Sequence, residues 1–484
     1  MSISGSLSAA LSGLTAVSRA AETVSSNISN AMTDGYGRRE INLSSRVLEG
    51  SGNGVRFDGI TRNSDPALIG DRRLSEAEFG QADATFDFLS SIGAAIGTPD
   101  NPGGLTGRMT SLEAAIIQAS SRPDSDTRLQ GILNTATGVA NHLNSVSDRV
   151  QAERLKADNT IAASVDQMNT ALQQIQSLNA RIVRFNGGSQ DPSSLIDQRQ
   201  ALIDQISELV PLREVPRDNG TIALFTLGGA ILLDGRAAEI GFEPVGVIVP
   251  DMTIASGALS GLTINGRPVS TSAETGAIAG GKLAGLFDVR DVQATGFQTR
   301  LDAVARDLVE RFEDPGMDPT LGVGDPGLFT DAGAAIVAID EIGLAGRISI
   351  NALADPAQGG ALWRIRDGLG APAVGDPGDA SLLNAMSDAL TGSRLPVSGG
   401  FTAQRSATGL ASDLLSGVSV QLNTQETERT YLRVQTDTLI EMELRDGVDT
   451  DVELQKLLLI EQSFAANARV ISTIDDLIQT LLRI

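Results

Sequence analysis

The sequence predicts an α+β fold, mainly α, with long coiled-coil-like helices from both termini and a helical-bundle domain carrying a smaller inserted β-rich module. Three observations carry this. Apolar residues recur at steps of three and four at both chain ends, the same period fills a long stretch of the middle, and residues 211–280 replace it with glycine-punctuated, β-branched runs. The implied division is a terminal assembly domain (1–45 with 440–484), a helical middle domain (46–210 with 281–439) and a β-rich outer module (211–280).

At the N-terminal end Leu7, Leu11, Leu14, Val17, Ala21, Val24, Ile28 and Ala31 fall on one stripe of a helix. At the other end Leu457, Ile460, Phe464, Asn467, Ile471, Ile474, Ile478 and Leu481 alternate steps of three and four, a coiled-coil seam with one polar member. A helix cannot bury such a stripe alone, so each end needs a partner, and the nearest candidate is the other end. Within a globular domain these stripes would be ordinary core. At the extreme termini, where chains usually fray, they favour packing between molecules. Asn467 reads as a register-specifying or tolerated polar residue rather than a ligand.

In the middle, Leu129, Ile132, Ala136, Val139, Leu143, Val146 and Val150 keep the helical period, which resumes from Ile161 to Ile182. This predicts one or two very long helices stopped at Asn186-Gly187-Gly188. Asp191-Pro192 starts a second helix bearing Leu195, Leu202, Ile206 and Leu209, so the two form an antiparallel hairpin. After Pro211 the runs "GTIALFTLGGAILLDGRAAEIGF" and "GLTINGRPVS" carry Asp-Gly and Asn-Gly turn signals. Helix returns with Phe297, Leu301, Val304, Leu308 and Phe312. Loops cover 314–327 and 355–400, and a helical pattern from Thr408 leads into the C-terminal seam.

Composition narrows the function. The 484 residues include 37 basic and 60 acidic ones, a net charge of −23, which argues against a nucleic-acid backbone or an anionic membrane as partner. No cysteine is present, so disulfides, thiol nucleophiles and thiolate metal sites are excluded. The first twenty residues lack a basic region followed by a continuous apolar one, and the uncharged run 221–233 is too short for a membrane span. These features predict a soluble chain that, if it leaves the cell, uses no cleaved signal.

The stretch "SNISNAMTDGYGRRE", residues 26–40, closes the first helical pattern with Asn, Gly and one of the two tyrosines. It resembles the N-terminal signature of the flagellar rod, hook and hook-associated axial proteins, with Asn27, Asn30, Thr33, Gly35 and Tyr36 on the signature positions. "RDGVDTDVELQKLLLIEQSFAANARVIST", residues 445–473, is similar to the C-terminal signature through Gly447-Val448, Glu453-Leu454, Gln462, Ala465, Asn467, Ala468 and Ile471. Asp34 stands where the family usually has Pro, and Phe464 where it has Tyr. "SSLIDQRQALIDQIS", "GGKLAGLFDVRD" and "DPGMDPTLGVGDPGLF" are most similar to the family's hook-associated members. The chain looks short for them, which implies a reduced outer domain.

The resemblance implies a structural protein of the junction between flagellar hook and filament, self-assembling through the terminal stripe residues and the 27–36 signature. The implied partners are identical subunits in a ring, the hook protein, a second junction protein and an export chaperone holding the C-terminal region. The implied location is the extracellular flagellum, reached without signal cleavage. In such an assembly a helix end must satisfy its orphan backbone groups against neighbouring subunits, and Asn27, Asn30 and Thr33 can each cap or bridge while Tyr36 adds a flat ring with a polar tip. The plainer reading is a helix stop and turn. In a free chain, unpaired seams predict largely disordered ends around a compact middle, roughly residues 60–435.

For an enzyme the signals are poor, and neither catalytic residues nor a cofactor or metal site is expected. The single histidine, His142, lies inside a helical pattern without a second His for a zinc pair or a catalytic triad. "GVGDPG" at 322–327 spells a dinucleotide fingerprint, but Pro326 stands where a helix should open. Asp475 and Asp476 are adjacent and point to different helix faces. The alternatives are another axial component, hook or rod protein, and a secreted glycan-cleaving enzyme.

Overall fold

The computed structural model describes residues 3–33, 35–48, 51–186 and 191–483. The packing divides the chain into two compact units: residues 1–79, 167–239 and 432–484 form the first, and 80–166 with 240–431 the second. In this division residues 211–239 lie in the first unit and 240–280 in the second. Asp34 and Gly187-Gly188, named above, lie outside the described residues.

In the first unit, helix α1 (Ile3–Ser29) leads into an antiparallel hairpin of β1 (Arg38–Leu48) and β2 (Ser51–Asn63). Helix α2 (Pro66–Ile96) follows, and α3 (Leu105–Ser120) belongs to the second unit. The long middle pattern is one helix of 61 residues, α4 (Asp126–Asn186), and α5 (Ser193–Ser207) packs back on its end through Leu178, Ile182 and Leu195. The N-cap position of α5 is Pro192 rather than Asp191, whose Oδ1 accepts from the Ser193 N–H at 3.0 Å and the Ser193 hydroxyl at 2.6 Å just ahead of the helix.

The β texture resolves into two small antiparallel sheets. β3 (Leu212–Pro216), β4 (Ile222–Thr226), β5 (Ile231–Asp234) and β6 (Arg236–Ala237) make one. β7 (Ile240–Gly241), β8 (Leu262–Ile264) and β9 (Arg267–Val269) make the other. The Asp234-Gly235 and Asn265-Gly266 signals occupy the β5–β6 and β8–β9 turns.

The second unit is built on α4, whose Leu129, Ile132, Ala136, Val139, Leu143, Val146 and Val150 are all buried. The short α6 (Lys282–Asp288) precedes α7 (Ala294–Glu313), which buries all five residues expected of it. Phe312 of α7 meets Phe329 edge to face at 5.2 Å, under the pair β10 (Phe329–Asp331) and β11 (Ile348–Ile350). Arg290 and Asp158 form a fully buried ion pair at 2.6 Å. It is tolerable in the interior because every charge is further bonded: Asp158 accepts from Val245 N–H, and Arg290 donates to Ser260 O and Asp291. The loop-rich region 355–400 contains two short helices, α8 (Trp363–Asp367) and α9 (Ser381–Thr391).

The last pattern is two helices rather than one. α10 (Ala407–Asp446) stops at Gly447, and α11 (Thr450–Leu482) starts under an Asp449 cap that accepts from the N–H groups of Asp451 and Val452 at 2.9 and 3.1 Å.

Candidate assembly interface

α1 and α11 pack on each other within one chain, running antiparallel. Two contacts set the register: Asn27 against Glu453, and Gly13 against Asn467. Each terminal helix therefore has the nearest candidate, the other end of the same chain, as a partner.

Asn27 is the hub. Its side chain is fully buried (0% exposed) at the end of α1 and uses the whole capacity of its amide. Nδ2 donates to Arg39 O at 2.9 Å and to Glu453 Oε2 at 3.0 Å, while Oδ1 accepts from the Tyr36 hydroxyl at 2.9 Å and the Arg39 N–H at 3.0 Å. One side chain therefore ties α1, β1 and α11 together. Glu453, 1% exposed, is matched on its other oxygen by Lys456 at 2.6 Å. Ser26 approaches the Tyr36 hydroxyl at 3.3 Å, and Arg39 lies over the Tyr36 ring.

Asn27 and Tyr36 bond to each other, and Asn27 to β1 and α11, inside the chain. Asn30 bonds back to Ser26 O at 2.8 Å within its own helix, and Thr33 is exposed. Gly35 adopts a left-handed φ of 73°, which makes the turn from α1 toward β1.

The contact between the helices runs along the small-residue flank of α1 rather than the crest of its leucine stripe. Gly13 sits so close to α11 that a Cβ there would stand 3.0 Å from the Asn467 Oδ1. Ala16, Thr23, Val24 and Asn27 are buried, whereas Leu7, Leu14 and Ile28 are half-buried and Leu11 is 56% exposed. On α11, Ile474 is buried and Leu457, Ile460, Asn467, Ile471 and Ile478 are half-buried, as the seam pattern requires. Phe464 and Leu481, expected in the seam, are instead 47% and 59% exposed. Leu459, Val470, Leu477 and Leu481 line another flank of α11, about a quarter-turn from the contact with α1, and all are exposed.

The other side of α1 is covered by the hairpin. Ser12 Oγ accepts from the Val55 N–H at 3.1 Å, and Arg19 stacks over Phe57 at 4.2 Å. Sequence reasoning missed this hairpin and the acid beneath it. Asp197 of α5 accepts from the Gly37 N–H, Arg39 and Arg62 at 3.2, 2.8 and 2.8 Å.

Carboxyls with raised affinity for protons lie elsewhere. Burial pushes Asp302 up to about 6 and Glu313 up to about 7, but both serve as acceptors for backbone N–H groups, and Asp302 is too deeply buried to meet a substrate. His142 is half-buried against Ile96 O at 3.2 Å, and burial lowers its pKa. Among the described residues no group of three or more His, Asp or Glu is placed to hold a metal ion, and no helix is long and apolar enough to cross a membrane.

The two chain ends thus fold into one antiparallel helix pair that leaves further apolar flanks exposed. Comparison with known proteins shows what the chain is similar to. Residues 89–318 match the model of the flagellar hook-associated protein FlgK helical domain, 445–484 that of the flagellar basal body rod FlgEFG protein C-terminal region, and 7–36 that of the flagella basal body rod protein. The chain is 27% identical over 237 residues to flagellar hook-associated protein 1 of Escherichia coli, covering 48% of this chain and 43% of that one. To the Bacillus subtilis protein of the same name it is 24% identical over 250 residues, 49% of each. The flagellar hook junction protein FlgK from Burkholderia pseudomallei is a structural neighbour with a TM-score of 0.45 and 18% identity over 54% of this chain and 46% of that one. Over these residues the chain is similar to the FlgK flagellar hook-associated proteins. Its matches span about half the length of these relatives.

Proposed function

We propose that the chain is a structural axial protein forming the junction between flagellar hook and filament, assembled through its terminal helices and without enzymatic activity. The observation that carries this is the half-covered state of the terminal pair. α11 satisfies α1 and still exposes Leu459, Phe464, Val470, Leu477 and Leu481, more large apolar surface than a helix destined for water presents. Neighbouring copies in a ring would cover it. On this reading the hook protein and a second junction protein sit on either side. An export chaperone holds the exposed α11 before assembly, and the protein reaches the extracellular flagellum without a cleaved signal.

Electron microscopy of flagella from a strain lacking the chain tests the reading. Hooks that end without filaments are expected. Missing hooks would place the chain in the hook or rod and overturn the junction role.

A further inference from the structure

The segment "SSLIDQRQALIDQIS" stood out in the sequence, and the assembly reading leaves its purpose open. In the structure it is α5, and it presents two carboxylates two turns apart, each bridging two arginines. Asp197 takes Arg39 of β1 and Arg62 of β2, and Asp204 takes Arg72 and Arg73 of α2 at 2.9 and 2.7 Å. Arg199, between them, donates to Asn179 of α4 and to Gly220 O, which anchors α5 to the body of the unit. Arg62 also donates to Gly35 O at 3.1 Å, so the charge of Asp197 reaches the turn where α1 ends. The Asp197, Arg39 and Arg62 side chains are all shielded, at 13%, 15% and 13% exposure. Charge-assisted contacts in which one carboxylate is shared between two arginines fix direction as well as distance.

We propose that Asp197 is a positioning residue: it sets the direction in which α1 and the β1–β2 hairpin leave α5, and with it the geometry at which one subunit meets the next. This rests on the assembly reading above. The purified full-length chain with Asp197→Asn should keep its helix content and the protection of α4 while amide hydrogen exchange across 37–63 speeds up at least ten-fold. In cells the fraction of hooks bearing filaments should fall at least ten-fold, and Asp197→Glu, which keeps the carboxylate, should restore part of both. Arg62→Gln, which removes one arm, should shift both readouts the same way by less.

Unchanged exchange across 37–63 would overturn the clamp. Loosened exchange with normal filament numbers would overturn its role in assembly, as would a loss of protection spread over the whole chain. Filaments attached in the complete absence of the chain would sink the functional reading itself, which the exchange comparison separates from a failure of the clamp.

Discussion

The Asn27 amide donates to the Glu453 carboxylate at 3.0 Å across 426 residues of chain, with both side chains buried. Removing either partner strands a buried polar group, which costs about 1–3 kcal/mol and more when the group is charged. Asn27→Ala should therefore weaken the α1–α11 pair by roughly 2–4 kcal/mol, read as accelerated hydrogen exchange over 3–29 and 450–482. Asn27→Asp should be worse, because two carboxylates then face each other, and adding Glu453→Gln should recover part of the loss by returning a donor. Equal effects of the single and double changes would show that the two residues are not coupled.

A second expectation concerns helix separation. Gly13 leaves room for the Asn467 amide, which donates back to Ser463 O at 3.1 Å. Gly13→Ala should cost little, since the atom in the way is the end of a flexible side chain, whereas Gly13→Val should prise the helices apart. Asn467→Ala should relieve much of the damage from Gly13→Val. The thermal midpoint of the four proteins decides this, and a Gly13→Val chain as stable as wild type would refute the close approach.

The second unit should respond to pH in the direction its buried acids dictate. Asp302 is held near 6 chiefly by burial, against the opposing donation of the Ala345 and Gly343 N–H groups and Gln298, with the charge of Glu341 adding to the rise. Glu313 is raised to about 7 by burial, opposed by the Ile336 N–H, with the charges of Glu310 and Asp331 adding to the rise. A folded pKa above the unfolded one means that the fold prefers the protonated acid, so this contribution is complete below about pH 4 and disappears as pH climbs through 6 and 7. Asp302 accounts for a loss on the order of 3 kcal/mol, and the half-buried Glu313 for less after solvent screening. The thermal midpoint should fall between about pH 4 and 7, and fall less in Asp302→Asn. A midpoint that rises over that range would contradict the assignment.

How much of this was legible depended on whether local pattern or distant pairing decided the outcome. Leu129 through Val150 read as buried helix because a 3.6-residue period needs only the sequence itself. Both terminal helices read for the same reason, but the face that α1 turns to α11 did not. Leucine spacing pointed to Leu7 and Leu11, while the close approach follows Gly13, where backbones can come together. Asn27 was recognised as a capping candidate, yet its partner Glu453 is a tertiary fact with no local signal. The β1–β2 hairpin escaped because register shifts at Asn42/Leu43 and Ser45/Val47 break the alternation that announces a strand. The Gly-rich run from Gly50 to Gly54 was the available clue in the sequence.

The last expectation is the state of the terminal pair before assembly. On α11 only Glu453 and Ile474 are buried, whereas α4 carries a continuous buried line. Opening a helix pair with so thin a core requires little free energy, and exchange protection follows that local cost rather than the stability of the whole chain. In a verified monomer, residues 3–29 and 450–482 should thus exchange faster than α4, though more slowly than free peptide, because the Asn27–Glu453 contact holds them in register. Addition of neighbouring copies should then raise protection along the exposed flank of α11, at Leu459, Val470 and Leu477. Protection equal to that of α4 in the monomer would show that the pair is complete without neighbours. No protection at all would show that it forms only on assembly.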